Sequence, residues 1–414
     1  MTMTSLKPVT PAFIALYAVG YVGSYIALIT PVAATLAFKV AELDPAGKEA
    51  SLGMIAAIGA LVAIVSNAGT GALSDRTRSP LGRRRPWIIG GALGGVVALA
   101  IVGFAPSLFV VGLGWVLAQL TLNMVLAALQ ALLPDQVPLE QRGRVSAVLG
   151  IAQQVSPLLG IGLAFGVQAA GGGIGLMFLI PAVVGAALMV LLAVRIRDVA
   201  HEVPARASLG EFLRGFSIER GKRRDFGWAW FGRFFVILGF AVYTTYQPYF
   251  IADRLGVPES GVLLQQLIAL LIFAAVLTVS AVVCGRLSDR TGRRKPFVFA
   301  AAAVVGVGLT MLALTTSLPV FYVAAAVMGV GIGAFFAVDL ALITDVLPDK
   351  EHKAAKDMGI FNIANSLPQS VAPAIAPLFL AVGSGGGNYT VLFIAGGVFA
   401  VIGAVLIAPI RAVK

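Results

Sequence analysis

The stretch Gly71-Ala72-Leu73-Ser74-Asp75-Arg76-Thr77, continued by Gly82-Arg83-Arg84-Arg85-Pro86, returns 214 positions later as Gly285-Arg286-Leu287-Ser288-Asp289-Arg290-Thr291-Gly292-Arg293-Arg294-Lys295-Pro296. A second pair keeps the same offset, because Leu132-Leu133-Pro134-Asp135 recurs as Val346-Leu347-Pro348-Asp349. In a chain of 414 residues this reads as two homologous halves. Each copy lies between long apolar stretches. The expected repeat unit is therefore a membrane-embedded bundle, with the basic block as a short loop between two spanning helices.

Composition supports that reading, since 59% apolar against 12% charged residues exceeds what a water-soluble core of this length needs. Apolar segments able to cross a hydrocarbon layer of roughly 30 Å run near 11–38, 50–73, 86–105, 108–133, 143–169 and 174–195. Six more lie near 226–250, 262–285, 296–316, 319–347, 355–382 and 388–410. The expected fold is an all-α integral membrane protein with 12 transmembrane helices in two homologous six-helix bundles. Residues 1–197 form the first bundle, 198–225 a charged cytoplasmic linker containing the run Arg220 to Arg224, and 226–414 the second bundle.

Basic residues favour the cytoplasmic side when counted near the ends of short loops. With both termini inside, only Lys39, Lys48 and Arg254 of the 30 Lys and Arg face out, Arg233 lies within a span, and 26 face in. The net charge of +11 is then a topology signal suited to an anionic inner leaflet, and no nucleic-acid partner is expected. The first apolar stretch is too long for a signal-peptide core, so it is read as the first spanning helix. The single cysteine, Cys284, excludes an internal disulfide, and His201 and His352 both fall in loops, so no metal centre is expected in the membrane. No nucleophilic triad and no phosphate-binding Walker loop is present, and neither an enzyme activity nor a cofactor is expected.

The twice-occurring Gly-x-Leu-Ser-Asp-Arg-Thr block with its Gly-Arg-Arg-Arg/Lys-Pro continuation resembles the signature between spans 2 and 3 of the major facilitator superfamily. A finer likeness lies in Ala27-Leu28-Ile29-Thr30-Pro31, in Arg78 to Pro86, and in Asn123 with Ala131-Leu132-Leu133-Pro134-Asp135. These resemble the sucrose/proton symporters and, more distantly, the melibiose-type cation/sugar symporters. The resemblance implies a major facilitator fold and a cytoplasmic gate at Gly71, Asp75, Arg76, Gly82, Arg83 and Arg84, repeated at Gly285, Asp289, Arg290, Gly292, Arg293 and Arg294. Acids add nothing to the positive-inside bias, so Asp75 and Asp289 are read as latches facing a helix N-terminus, and Arg85 and Lys295 as topology determinants only. Where the sucrose symporters carry an aspartate and an arginine on span 4, this chain has Gln119 and Gln130. Where melibiose-type permeases carry cation-binding carboxylates on span 2, it has Ala63 and Asn67.

Polar groups at hydrocarbon depth are costly unless paired or facing a wet cavity, so they point toward a solute. Tyr17, Tyr21 and Tyr25 share one face of span 1; the alternative to a solute-binding stripe is an aromatic packing seam. Gln119, Asn123 and Gln130 share a face of span 4. Gln153 precedes Pro157 on span 5, and Tyr243, Tyr246 and Gln247 precede Pro248 on span 7. Span 11 adds Asn362, Asn365 and Gln369 among Pro368, Pro373 and Pro377. Asp339 is the carboxylate placed well inside a span and is the candidate proton carrier. Its alternative role is structural, and Arg233 either pairs with it or snorkels to the interface.

The cavity expected between the halves is neutral and rich in hydroxyls and amides. A sugar or similar polyhydroxylated small molecule fits it better than a phosphate, a dicarboxylate or a cationic drug. The expectation is a monomeric multi-pass protein of the cell membrane that imports such a solute with H⁺ by alternating access. The alternatives are an exporter of amphipathic molecules and, in a different class, a membrane sensor or scaffold that moves nothing.

Overall fold

The computed structural model describes residues 8–196, 198, 223–346, 354–383 and 387–410, and among them every regular element is helical. Twelve long helices follow one another among these residues. In the first half they are α1 Pro11–Leu43, α2 Lys48–Arg76, α3 Arg85–Gly103, α4 Leu108–Gln136, α5 Leu139–Ala169 and α6 Ile174–Arg195. The second half contains α7 Arg224–Arg254, α8 Glu259–Thr291, α9 Lys295–Leu314, α10 Leu318–Val346, α11 Ala354–Leu380 and α12 Tyr389–Ile407. Among the described residues 11 helices are long and apolar enough to cross a membrane. The twelfth is α11, whose amides and three prolines lower its hydropathy.

Local chemistry accounts for the helix ends. Thr10 accepts the Phe13 N–H ahead of Pro11, Ser107 caps α4 and Asn388 caps α12, each supplying an acceptor to a donor of the first turn. α8 stops at Gly292, which takes the left-handed conformation (φ 62°) that a glycine adopts without strain. The repeated block is accordingly not a loop throughout. Its Gly-x-Leu-Ser-Asp-Arg portion continues α2 to Arg76 and α8 to Thr291, because nothing in it breaks a helix before Thr77 or Gly292. Asp75 and Asp289 thus sit on last helical turns.

The duplication is visible in the packing. α1 lies against α5 and α6, α4 against α2 and α3, and α3 against α6; adding six to each label reproduces the neighbours of the second half. Glycines allow the closest approaches in both copies: Gly23 of α1 meets Gly185 of α6, and Gly239 of α7 meets Gly396 of α12. Such contacts stabilise helix pairs in lipid, where no hydrophobic drive joins them. Each first helix also carries a π-helical turn, at Pro31–Thr35 in α1 and at Phe250–Arg254 in α7. Pro31 opens the first turn and Pro248 precedes the second. Two compact units result, Met1–Pro204 and Ala205–Lys414.

Candidate functional site

The densest ionic cluster in the first unit is built on the repeated block. Arg84 is 3% exposed and bonds through every nitrogen of its guanidinium. Nη2 donates to Asp75 Oδ1 (2.5 Å), Nη1 to Ser74 Oγ (2.5 Å) and Nε to Asp135 Oδ2 (2.9 Å). Arg83 joins the same Asp135 oxygen at 2.8 Å. One planar fork thereby ties the ends of α2 and α4 to the start of α3, a geometry that lysine lacks. Asp75 therefore faces a guanidinium.

The N-terminus of α3 is faced instead by Asp198, which accepts the main-chain N–H groups of Arg84 (2.5 Å) and Arg85 (2.9 Å). Gly82 makes room for that carboxylate, since it has φ 100° and a Cβ there would overlap the Asp198 side chain. Arg85 completes the arrangement by donating to the carbonyls of Ala193 and Val194 at the end of α6. It thus does more than set topology: it caps a helix. Arg76 is exposed on the last turn of α2. In the second unit Asp289, Arg290 and Arg293 are exposed, and Ser288 Oγ donates to the Arg293 carbonyl at 3.4 Å. Gly71 and Gly285 have open surroundings or ordinary contact distances.

The tyrosines of α1 form a ring ladder, with centroids 5.6 Å apart from Tyr17 to Tyr21 and 5.8 Å from Tyr21 to Tyr25. Tyr17 is wholly buried and its hydroxyl donates to the Leu129 carbonyl of α4, so this phenol serves helix packing. Tyr246 is also wholly buried, and its hydroxyl donates to the Pro373 carbonyl at 3.2 Å. That carbonyl has no helical donor because Pro377, four residues on, lacks an N–H. The proline-broken α11 is thereby held to α7 through a phenol.

Amides form a further set of interior contacts, beside serine hydroxyls such as Ser66 and Ser280 that donate to the Leu120 and Val330 carbonyls. On α4, Asn123 Nδ2 donates to the Gln119 carbonyl (2.9 Å) and to Gln119 Oε1 (2.8 Å). On α7, Gln247 donates to the Tyr243 hydroxyl at 2.6 Å and accepts from Gln266 of α8 at 3.3 Å. Tyr322 of α10 reaches the neighbouring Gln265. Gln265, Gln266 and Tyr322 are not among the candidates drawn from the sequence, although glutamines in an apolar span are themselves a signal. Gln130 and Gln153 are exposed; Gln369 is exposed too and folds back on the Asn365 carbonyl at 3.2 Å. The side chains of Asn362, Asp345 and Asp349 lie outside the described residues, as does most of the 198–225 connection.

Arg233 and Asp339 meet across α7 and α10. Asp339 is 1% exposed, and Arg233 Nη1 donates to its Oδ2. The guanidinium also lies 5.6 Å from the centre of the Phe336 ring. Val236, Phe335, Val338 and Leu342, near the pair in sequence on α7 and α10, belong to a buried apolar cluster. Asp339 is seven residues from the end of α10 at Val346, about 10 Å along a helix axis. At this depth Arg233 pairs rather than snorkels.

A duplicated set of membrane-length helices, with buried polar groups inside and ion pairs at the repeated block, defines a secondary membrane transporter. The Major Facilitator Superfamily profile matches residues 11–278 and 229–413, and the chain belongs to that family. Among solved structures the chain is similar to the nucleoside transporter NupG, at TM-score 0.73 and 12% identity over 97% of this chain and 99% of that one. It is also similar to a bacterial homologue of the human lysosomal transporter Spinster, captured inward-facing and unoccupied, at TM-score 0.68 and 15% identity over 96% and 93% of the two chains. At such identities these likenesses show the fold alone. A curated relative, the uncharacterized MFS-type transporter YfiU of Bacillus subtilis (strain 168), is 30% identical over 104 residues, which make up 25% of this chain and 20% of that protein.

Proposed function

We propose that the chain carries a neutral polyhydroxylated solute, a sugar first among candidates, by alternating access of its two halves, with H⁺ taken up at Asp339. One observation carries this reading. Away from the helix ends, the interior polar groups described are amides, phenols and the hydroxyls of serine and threonine, and the charges of Arg233 and Asp339 are paired with each other. Among the described residues a charged solute entering such a span would meet no uncompensated counter-charge, whereas hydroxyls find both donors and acceptors.

Asp339 suits coupling because a proton on its carboxylate removes the negative charge that Arg233 faces across α7 and α10. Losing that counter-charge is costly to a guanidinium set in apolar surroundings. Protonated and ionised forms would therefore favour different arrangements of α7 and α10, which is how a proton gradient biases a conformational equilibrium. The Arg84 cluster supplies the gate at the end carrying the repeated block, placed at the cytoplasmic face of the cell membrane by the distribution of basic residues.

The test is uptake into proteoliposomes under an imposed pH gradient, wild type beside Asp339→Asn. The panel comprises mono- and disaccharides together with a nucleoside, the class named for NupG. Gradient-driven accumulation that the variant loses supports both parts of the reading. Equal accumulation by the two proteins removes Asp339 from the coupling path and leaves the solute class standing. Failure of every panel member rejects the solute class.

A further inference from the structure

The two amides of α4 have a fixed polarity. Asn123 Nδ2 commits both its hydrogens, one to the Gln119 carbonyl and one to Gln119 Oε1. Exchanging the oxygen and nitrogen of Asn123 would set an acceptor against two acceptors, so that orientation is excluded by the network itself. Because Gln119 Oε1 is held by Asn123, the Gln119 Nε2 group is left as the outward atom of that side chain. Two polar atoms thus remain, a donor on Gln119 and an acceptor, Oδ1, on Asn123, and neither has a partner among the described residues. Both side chains are more than nine-tenths buried, at 6% and 7% exposure. One turn before Gln119, the Trp115 indole N–H is likewise buried without an acceptor among the described residues. Gly59 lets α2 pack closely beside these side chains: a Cβ there would overlap Trp115 Nε1 and come within 3.2 Å of Gln119 Cγ.

We propose that Gln119 and Asn123 grip two neighbouring hydroxyls of the solute, a vicinal diol, with Gln119 Nε2 donating to one oxygen and Asn123 Oδ1 accepting from the other hydroxyl. This deepens the proposed function and rests on its neutral, hydroxylated solute. A carboxylate offers acceptors alone and an ammonium donors alone, so each satisfies half of the pair; a diol satisfies both. The internal bond between the amides holds the donor and the acceptor ready before the solute arrives, which lowers the ordering cost of binding.

Equilibrium binding to the purified full chain tests this, with glucose, sucrose and the monodeoxy analogues of glucose as probes, for wild type and Gln119→Met. Removal of one member of the recognised diol is expected to weaken binding to wild type about tenfold, the size of one well-placed hydrogen bond. Gln119→Met is expected to lose discrimination against the analogue lacking the oxygen that Gln119 Nε2 meets and to keep it against the analogue lacking the hydroxyl that Asn123 Oδ1 accepts, since Asn123 Nδ2 still donates to the main-chain carbonyl of residue 119. Full discrimination by that variant overturns the proposal. So does wild-type protein that binds a sugar but treats every deoxy analogue as the parent, a comparison that needs no variant to fold. Binding of no neutral hydroxylated probe by wild type would reject the proposed solute class and this site with it.

Discussion

Asp198 accepts the main-chain N–H of Arg85 at 2.9 Å, and Arg85 sends its guanidinium back to the carbonyls of Ala193 and Val194, five and four residues before Asp198. The start of α3 and the end of α6 thereby cap each other. A helix start leaves donors without partners and a helix end leaves acceptors, so side-by-side antiparallel ends are complementary in both hydrogen bonding and dipole.

Asp198→Ala should lower stability by about 1–2 kcal/mol, the usual worth of a lost N-terminal cap with a charge on the dipole. Gly82→Ala should also destabilise, since φ 100° strains any residue with a Cβ and that Cβ overlaps Asp198. Both act on one contact, so the double variant should fall short of the sum. Thermal unfolding of the detergent-purified protein checks this; strictly additive shifts would separate Gly82 from Asp198.

Arg84 is expected to tolerate no other cation in its place. Lysine supplies the charge without the planar fork that meets Asp75, Ser74 and Asp135 from three nitrogens. Arg84→Lys should cost about 2 kcal/mol, read as a lower unfolding midpoint. In transport it should behave as a gate that closes less completely. Reactivity of a cysteine placed at Thr77, in a chain with Cys284 replaced by serine, would then rise. An unchanged midpoint and unchanged reactivity would count against the latch.

The repeat, the helix count and the buried carboxylate are legible in the amino-acid sequence, because they follow from hydropathy and from the rarity of charge in a span, which act locally along the chain. Partner choice does not. Asp198 falls at the start of the charged connection, and nothing local shows that its carboxylate folds back onto α3. Arg85 looks like one more basic residue because topology needs only its charge, whereas capping depends on where the end of α6 falls. Spacing leaves Arg233 between two roles, and the packing of α7 against α10 decides for the ion pair. Tyr246 cannot be matched with the Pro373 carbonyl from spacing alone. The amide pair on α4 is visible as a shared face; which of its atoms point away from the pair depends on the hydrogen-bond network.

The Arg233–Asp339 pair separates stability from coupling. Breaking it from one side, by Asp339→Leu or Arg233→Met, leaves one buried charge without its facing counter-charge and should cost about 3–5 kcal/mol. The combined variant removes both charges, near in sequence to the buried cluster residues Val236, Phe335, Val338 and Leu342, and should recover most of that loss. If Asp339 carries the proton, the recovered protein folds and exchanges solute down its gradient but no longer accumulates it against one. Unfolding midpoints and counterflow measured on the same preparation decide the matter, and full accumulation by the double variant would rule Asp339 out.

Glycines offer the contrast between packing and gating. A Cβ at Gly333 would overlap the main chain of Leu277, so α8 and α10 cannot keep their separation with any larger residue there. Gly333→Val should therefore destabilise by about 2 kcal/mol or more, in the range of overpacked cores. At Gly285, by comparison, the nearest atom is the Ala337 Cβ at 3.7 Å, an ordinary contact. Gly285→Ala should leave the unfolding midpoint within about 0.5 kcal/mol of wild type, as for substitutions away from packed features. Because Gly285 belongs to the repeated block, transport by this variant is the informative reading. Loss of transport at unchanged stability would assign the block's glycine to the moving gate, and normal transport would make it a remnant of helix packing.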